Sequence, residues 1–287
     1  IRHHRKVPVI ICTDSVCDLP ASMIEEHKIA VMPYRVCTEG GEFLDGVETE
    51  SDGVLSYLCN SGKSVHSHAP EVKDYEQFFS EQLTQAQYVI HITMAKHASQ
   101  GYANACEAAQ VFDNVKVIDS GHLSSGMGLV VLRAAHYAAR GMDPEHLIRR
   151  VQDDCIRVRT SFIVDSTRYL TRAGRLSDRL HRFCKMMLLH PVLVMKNDSI
   201  RVGSIQIGTK EQSRENYISS VLRKSKNMDR KILFLTYAGL DERELRQIIQ
   251  QVNAKVKFEQ IICQKASSAI LTNCGPGSFG LIYMLKP

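Results

Sequence analysis

The chain contains no tryptophan, and only 7% of its 287 residues are aromatic. No block of lysine and arginine recurs with aromatics between, so the basic, stacking surface of a nucleic-acid-binding domain is missing. Nor does any apolar run reach the roughly 20 residues that span a bilayer. The longest candidate, "GMGLVVLRAAHYAA", is interrupted by Arg133 and His136, and stable membrane insertion is not expected. A P-loop "GxxxxGK[ST]" and a GxGxxG are both absent, which argues against nucleotide binding by the chain alone. The nine cysteines are odd in number and contain no C-x-x-C pair. A disulfide framework or a structural zinc site is therefore not expected, and a reducing compartment fits. The net charge of +5 is mild, and part of it sits in the opening "IRHHRK", which reads as a basic lead-in. The lack of an initial Met suggests processing or excision from a longer chain. With an authentic start, the lack of a signal peptide before the first strand points to the cytoplasm.

What is present is a chain that is 44% hydrophobic, enough for a large core in two domains. Strand and helix alternate from "VPVIICT" through "YVIHITM" and "VKVIDS" to about residue 155. This predicts an α/β unit over 1–155 with a mostly parallel sheet flanked by helices. "IAVMPYRV" reads as one strand, Asp52 as the cap of the helix "GVLSYLCNSG", and "SSGMGLVVLRAAHYAARG" as a long buried helix. Residues 156–287 read as a second α/β unit with a mixed or antiparallel sheet. It includes a hairpin, "HPVLVMKNDSIRVGSIQIG", turning at Asn197 and Asp198.

Three loops place hydroxyls and glycines where a strand meets a helix, and free N–H groups at such places attract anions. "CTDSVCDLP" offers Asp14 and Ser15. "TMAKHASQG" offers Thr93, Met94, Ala95 and Ser99, and "IDSGHLSSGMG" offers Ser124 and Ser125. Asp14 or Ser15 reads equally as the cap of the next helix, and for Ser124 and Ser125 a cap is the favoured reading. Three such loops on one sheet edge point to a cradle for a carboxylate or phosphate.

In order along nearly the whole chain, "TDSVCDLP", "VKVIDSGHLSSGMG", "YLTRAGRLS", "HPVLVMKNDSI" and "CGPGSFG" resemble the signatures of the DegV family. The resemblance implies a bacterial, cytoplasmic, non-catalytic protein of two α/β domains that encloses one long-chain fatty acid between them. It needs no cofactor, and it presents the acyl carboxylate to a separate fatty acid kinase subunit, which makes acyl phosphate for phospholipid synthesis. The resemblance also implies that His66 and Ser67 stand at the headgroup, with His66 where the family has a carboxylate-binding threonine. Asn273, beside Cys274 and Gly275 of the "GPG" loop, replaces a histidine, and Gly208 replaces an arginine. The loop from Met94 to Tyr102 is one residue longer than the family's. A protonated His66 supplies a carboxylate with a charge-assisted hydrogen bond. Arg175 of "AGRLS" reads either as a docking group for a partner's phosphate or as a surface arginine. The apolar stretches "FCKMMLLHPVLVM" and "GMGLVVL" are candidates for the acyl lining.

Two other classes stay open. A serine or cysteine hydrolase needs an activated nucleophile. "GHLSSGMG" is no G-x-S-x-G elbow, but Cys274 and His66 would pair if their loops met. A phosphotransfer-type module acting on a small anionic ligand is the other.

Overall fold

The computed structural model describes residues 5–223 and 225–287. Of the basic lead-in, Arg5 and Lys6 are exposed and the first four residues lie outside the described range. The first part runs β1 (Val7–Asp14), α1 (Ala21–Glu26), β2 (Ala30–Met32), β3 (Arg35–Thr38), β4 (Gly41–Leu44), α2 (Ser51–Ser61), β5 (His66–His68), α3 (Val72–Leu83), β6 (Ala86–Thr93), α4 (Gly101–Ala109), β7 (Val115–Asp119), α5 (Ser124–Ala139) and α6 (Pro144–Arg157). The second runs β8 (Val158–Ile163), α7 (Arg168–Arg172), α8 (Asp178–Met186), β9 (Leu189–Lys196), β10 (Ser199–Ile207), α9 (Lys210–Leu222), β11 (Ile232–Tyr237), α10 (Glu242–Lys255), β12 (Gln260–Lys265), α11 (Ser268–Cys274) and β13 (Phe279–Met284).

The first sheet is parallel, in the order β2-β1-β6-β7. β1 lies inside it, which is why "VIIC" is apolar without alternation. Tyr75 and Phe79 of α3, with Ala105 and Ala108 of α4, cover one face, and α5 covers the other. The second sheet is mixed, in the order β10-β9-β8-β13-β11-β12, with β11 and β12 parallel. The turn between β9 and β10 falls at Asn197 and Asp198, whose φ values of 51° and 56° suit a two-residue hairpin loop. α9 and α10 cover the outer face of this sheet through Tyr217, Ile218, Ile248 and Val252. Helix α5 lies between the sheets, so Ile11 and Ile90 of one share a core with Phe234 and Ile282 of the other. The "SSGMG" segment makes this possible. A Cβ at Gly126 would lie 2.0 Å from the Thr160 hydroxyl of β8, and one at Gly128 would lie 2.5 Å from the Cys17 carbonyl.

Three local expectations change. "IAVMPYRV" is two strands in different sheets: β2 joins the parallel sheet, and β3 joins a small sheet of order β4-β3-β5. Pro33, with no N–H to give a ladder, stands at the break. Asp52 lies in the first turn of α2, and Glu50 holds the cap position. His66 belongs to a strand, paired opposite Cys37, rather than to a loop.

Candidate functional site

In the parallel sheet the chain runs from β1 to β2 on one side and returns to β6 on the other. The crevice at the carboxyl ends of β1 and β6 is therefore a topological switch point, where ligands bind in open α/β sheets. A cavity of about 700 Å³ opens there, within the ~300 to 1,000 Å³ range of small-molecule sites. Val16 and Met94, which follow β1 and β6, form one side. Phe162 of β8, Leu193 of β9, Ile200 of β10 and Leu170 of α7 form the other, so the lining comes from both halves of the chain. The polar part of the lining includes His66 and His68 of β5, Arg201 of β10, and Arg175 just after α7. No aspartate or glutamate is among the lining residues.

The hydroxyls and amides of the lining are held in two hydrogen-bonded groups. Tyr34 Oη and Ser99 Oγ are 2.6 Å apart, and Ser99 Oγ accepts the Gly101 N–H at 3.1 Å. Burial pushes the Tyr34 phenol well up from its ordinary range, and the nearby Asp14 adds to this, so the phenol keeps its proton. On α11, Thr272 donates to the Ala269 carbonyl at 2.8 Å, and Asn273 Nδ2 donates to the same oxygen at 3.2 Å. Ser67 of β5 reaches that carbonyl too, at 3.3 Å. Arg175 Nε donates to Asn273 Oδ1 at 3.2 Å, which leaves the two Nη groups directed to neither Asn273 nor, among the described residues, any carboxylate.

Of the residues the sequence singled out, His66, Ser67, Met94, Ser99, Arg175, Asn273 and Cys274 line this cavity. The others lie elsewhere, turned into joints between elements. Asp14 is wholly buried, accepting from Tyr75 Oη at 2.8 Å and lying 3.2 Å from His91 Nε2. Ser15 Oγ accepts the Tyr34 N–H and donates to Asp45. Thr93 and Ala95 are fully buried, Thr93 donating to the Ile118 carbonyl and the Ala95 N–H to that of His122. Ser124 donates to the Asp18 carboxylate at 2.6 Å, and Ser125 to the Asp18 carbonyl at 2.9 Å. Gly275 packs against the Tyr169 ring. The sequence reading passed over Tyr34, His68, Arg201 and Thr272, all of which line the cavity. Tyr34, Arg201 and Thr272 carried no local signal, and the link from His66 to His68 follows only once β5 is known to be a strand, in which residues i and i+2 share a face.

The hydrolase reading lacks its nucleophile. Burial pushes the Cys274 thiol up to about 12, and the Asp18 carboxylate adds to it, whereas a nucleophilic cysteine needs a lowered value. Ser67, Ser99, Ser124 and Ser125 make no hydrogen bond to an imidazole among the described residues. Iodoacetamide at neutral pH is expected to label the exposed Cys59 well before the buried Cys274 in the folded protein, and both alike in denaturant. Rapid stoichiometric labelling of Cys274 together with ester turnover would reinstate the enzyme. Among the described residues, no three or more His, Cys, Asp or Glu are grouped to hold a metal, and no helix is long and apolar enough to cross a membrane.

Known proteins share this architecture. A DegV domain-containing protein of Caldanaerobacter subterraneus is 26% identical over 289 residues, covering 97% of this chain and 99% of that one. A DegV family protein from Thermus thermophilus, described as fatty acid binding, superposes with a TM-score of 0.86 at 24% identity over 97% of this chain and 100% of its own. One from Eubacterium eligens, loaded with heptadecanoic acid, gives 0.82 at 15% identity over 97% and 100%. The family model described as an uncharacterised protein of the DegV family matches residues 8–286, and the chain belongs to that family.

Proposed function

We propose that this protein binds a long-chain fatty acid in the cavity, with the acyl tail along the apolar wall and the carboxylate at the Arg175 and Asn273 end. One observation carries this reading: a largely apolar cavity whose lining includes two arginines and two histidines and no aspartate or glutamate. The tail supplies most of the affinity. Each buried CH₂ contributes about 0.8 kcal/mol, so an acyl chain of about 16 carbons offers on the order of 10 kcal/mol before association costs. A charge-assisted hydrogen bond from Arg175 adds about 1.5 to 3 kcal/mol and fixes which end faces out. The fatty acids held by the Thermus thermophilus and Eubacterium eligens relatives support the same ligand class.

With its headgroup at an open mouth, the bound acid is a substrate for delivery. We place the protein as a carrier in a bacterial cytoplasm that offers the carboxylate to a separate fatty acid kinase subunit for acyl phosphate formation. The DegV resemblance supports this role, and Arg175 is then shared between the carboxylate and the incoming phosphate.

Mass spectrometry of an organic extract of the purified protein is expected to show acyl chains enriched over an unrelated control. Arg175→Ala should weaken a free fatty acid about 10- to 100-fold while leaving its methyl ester unchanged. Absence of any enriched acyl species, with no binding of added acid, would end this reading. Acyl phosphate formation from ATP by the isolated chain would end the carrier role.

A further inference from the structure

Behind the cavity lies a second void of about 30 Å³. The two share four wall residues, Leu123, Phe162, Ile270 and Cys274. The void exists because of a missing side chain in the second sheet. Gly280 of β13 pairs with Phe162 of β8 on one side and Thr236 of β11 on the other, so a row of three across the sheet has nothing at its centre. A Cβ there would come within 2.6 Å of the Ser161 carbonyl, which keeps the position glycine. The serine and threonine hydroxyls around the void are satisfied within the protein: Ser124 bonds to Asp18, Thr236 to Ser125, Thr160 to His122, and Ser278 to the Cys274 carbonyl. What the void presents to a ligand is C–H surface, suited to a methyl terminus and not to a headgroup.

Phe162 is the largest of the four wall side chains. Unlike Leu123 and Cys274 it is only partly buried, and it packs against three separate apolar clusters. We propose that Phe162 is the partition that limits how far an acyl chain reaches into the protein, and that the void over Gly280 is the extension a longer chain enters when the partition is withdrawn. Phe162 is therefore the residue that determines chain-length specificity. This rests on the reading of the cavity as a fatty acid site.

The test is a series of straight-chain saturated acids, in even-carbon steps, titrated against the wild type and against Phe162→Ala. In the wild type, affinity should rise about fourfold per methylene, the gain expected of each buried CH₂, up to a cut-off length and then fall. In Phe162→Ala the cut-off should move to longer chains. Ala266 also lines the void, and the double variant Phe162→Ala/Ala266→Val should move the cut-off back. If Phe162→Ala does not fold by circular dichroism, Phe162→Leu carries the comparison, with a smaller shift in the same direction. A folded variant whose cut-off coincides with the wild type's overturns the partition and leaves the fatty acid site standing. A wild type that binds no acid of any length overturns both.

Discussion

Gly275→Ala is expected to cost about 2 to 6 kcal/mol in stability. Gly275 ends α11 with φ 71° and ψ 172°, in a region essentially reserved for glycine, where another residue pays about 1 to 3 kcal/mol of backbone strain. A Cβ there would also lie 2.2 Å from Cδ2 and 2.4 Å from Cγ of the Tyr169 ring, which is itself buried and has little room to retreat. Overpacking of this kind adds about 1 to 3 kcal/mol. Strain and clash share one remedy, a shift of α11, and that helix carries Thr272 and Asn273 into the cavity mouth. Fatty acid affinity should therefore fall along with stability. Gly53→Ala is the control, because nothing lies within 4 Å of a Cβ there and the position is inside a helix, where alanine is favoured by about 1 kcal/mol. Urea denaturation of the two variants decides the matter, and a Gly275→Ala midpoint equal to the wild type's would show that the loop relaxes freely.

The contrast between glycine and hydroxyl positions shows how far the sequence could be read. Strand and helix signals in alternation identified β1, β6 and β7 as strands of a parallel sheet, and Asn197-Asp198 identified a hairpin, because each signal is local and the tertiary fold reinforces it. The direction of a side chain at the end of a strand is not local. Asp14, Ser15, Thr93, Ser124 and Ser125 have the composition of an anion cradle, yet their partners are Tyr75, Asp45, the Ile118 carbonyl and Asp18. The polar groups that do face the cavity meet across long stretches of chain. Arg175 and Asn273 are 98 residues apart, and Ser67 reaches a carbonyl 202 residues away. Family resemblance singled out Ser67, Arg175 and Asn273 one by one, but not that Arg175 meets Asn273 or that Ser67 reaches the Ala269 carbonyl. Pattern alone had no means of bringing α11 back to β5.

The second large effect concerns Asp18, whose carboxyl is wholly buried and pushed up to about 7, against 3.8 for the free group. Burial is the main cause, partly offset by hydrogen bonds from Ser124 and Ser267, and the nearby Asp45 carboxylate adds to the rise. Below about pH 3.8 both the folded and unfolded chains hold this proton, and above about 7 neither does. Between these limits the folded state holds a proton that the unfolded chain has released. Stability therefore falls as pH rises through that window, by about 1.4 kcal/mol per unit and roughly 4 kcal/mol in all, and is level above it. Asp45 is shifted upward as well, again chiefly by burial, and contributes a slope of the same sign. The difference between wild type and Asp18→Asn isolates Asp18: the variant, an analogue of the protonated acid, should equal the wild type near pH 4 and exceed it increasingly up to about pH 7. Asparagine also tolerates the left-handed backbone at this position, where φ is 44°. The two carboxyl groups accept the Ser267 and Ser268 N–H groups at 3.0 and 3.1 Å, so both sit at the start of the helix that bears Thr272 and Asn273. Thermal melts from pH 4.5 to 8 provide the measurement, and a wild-type minus Asp18→Asn difference that stays constant across that range would mean that Asp18 is ionised in the folded protein throughout.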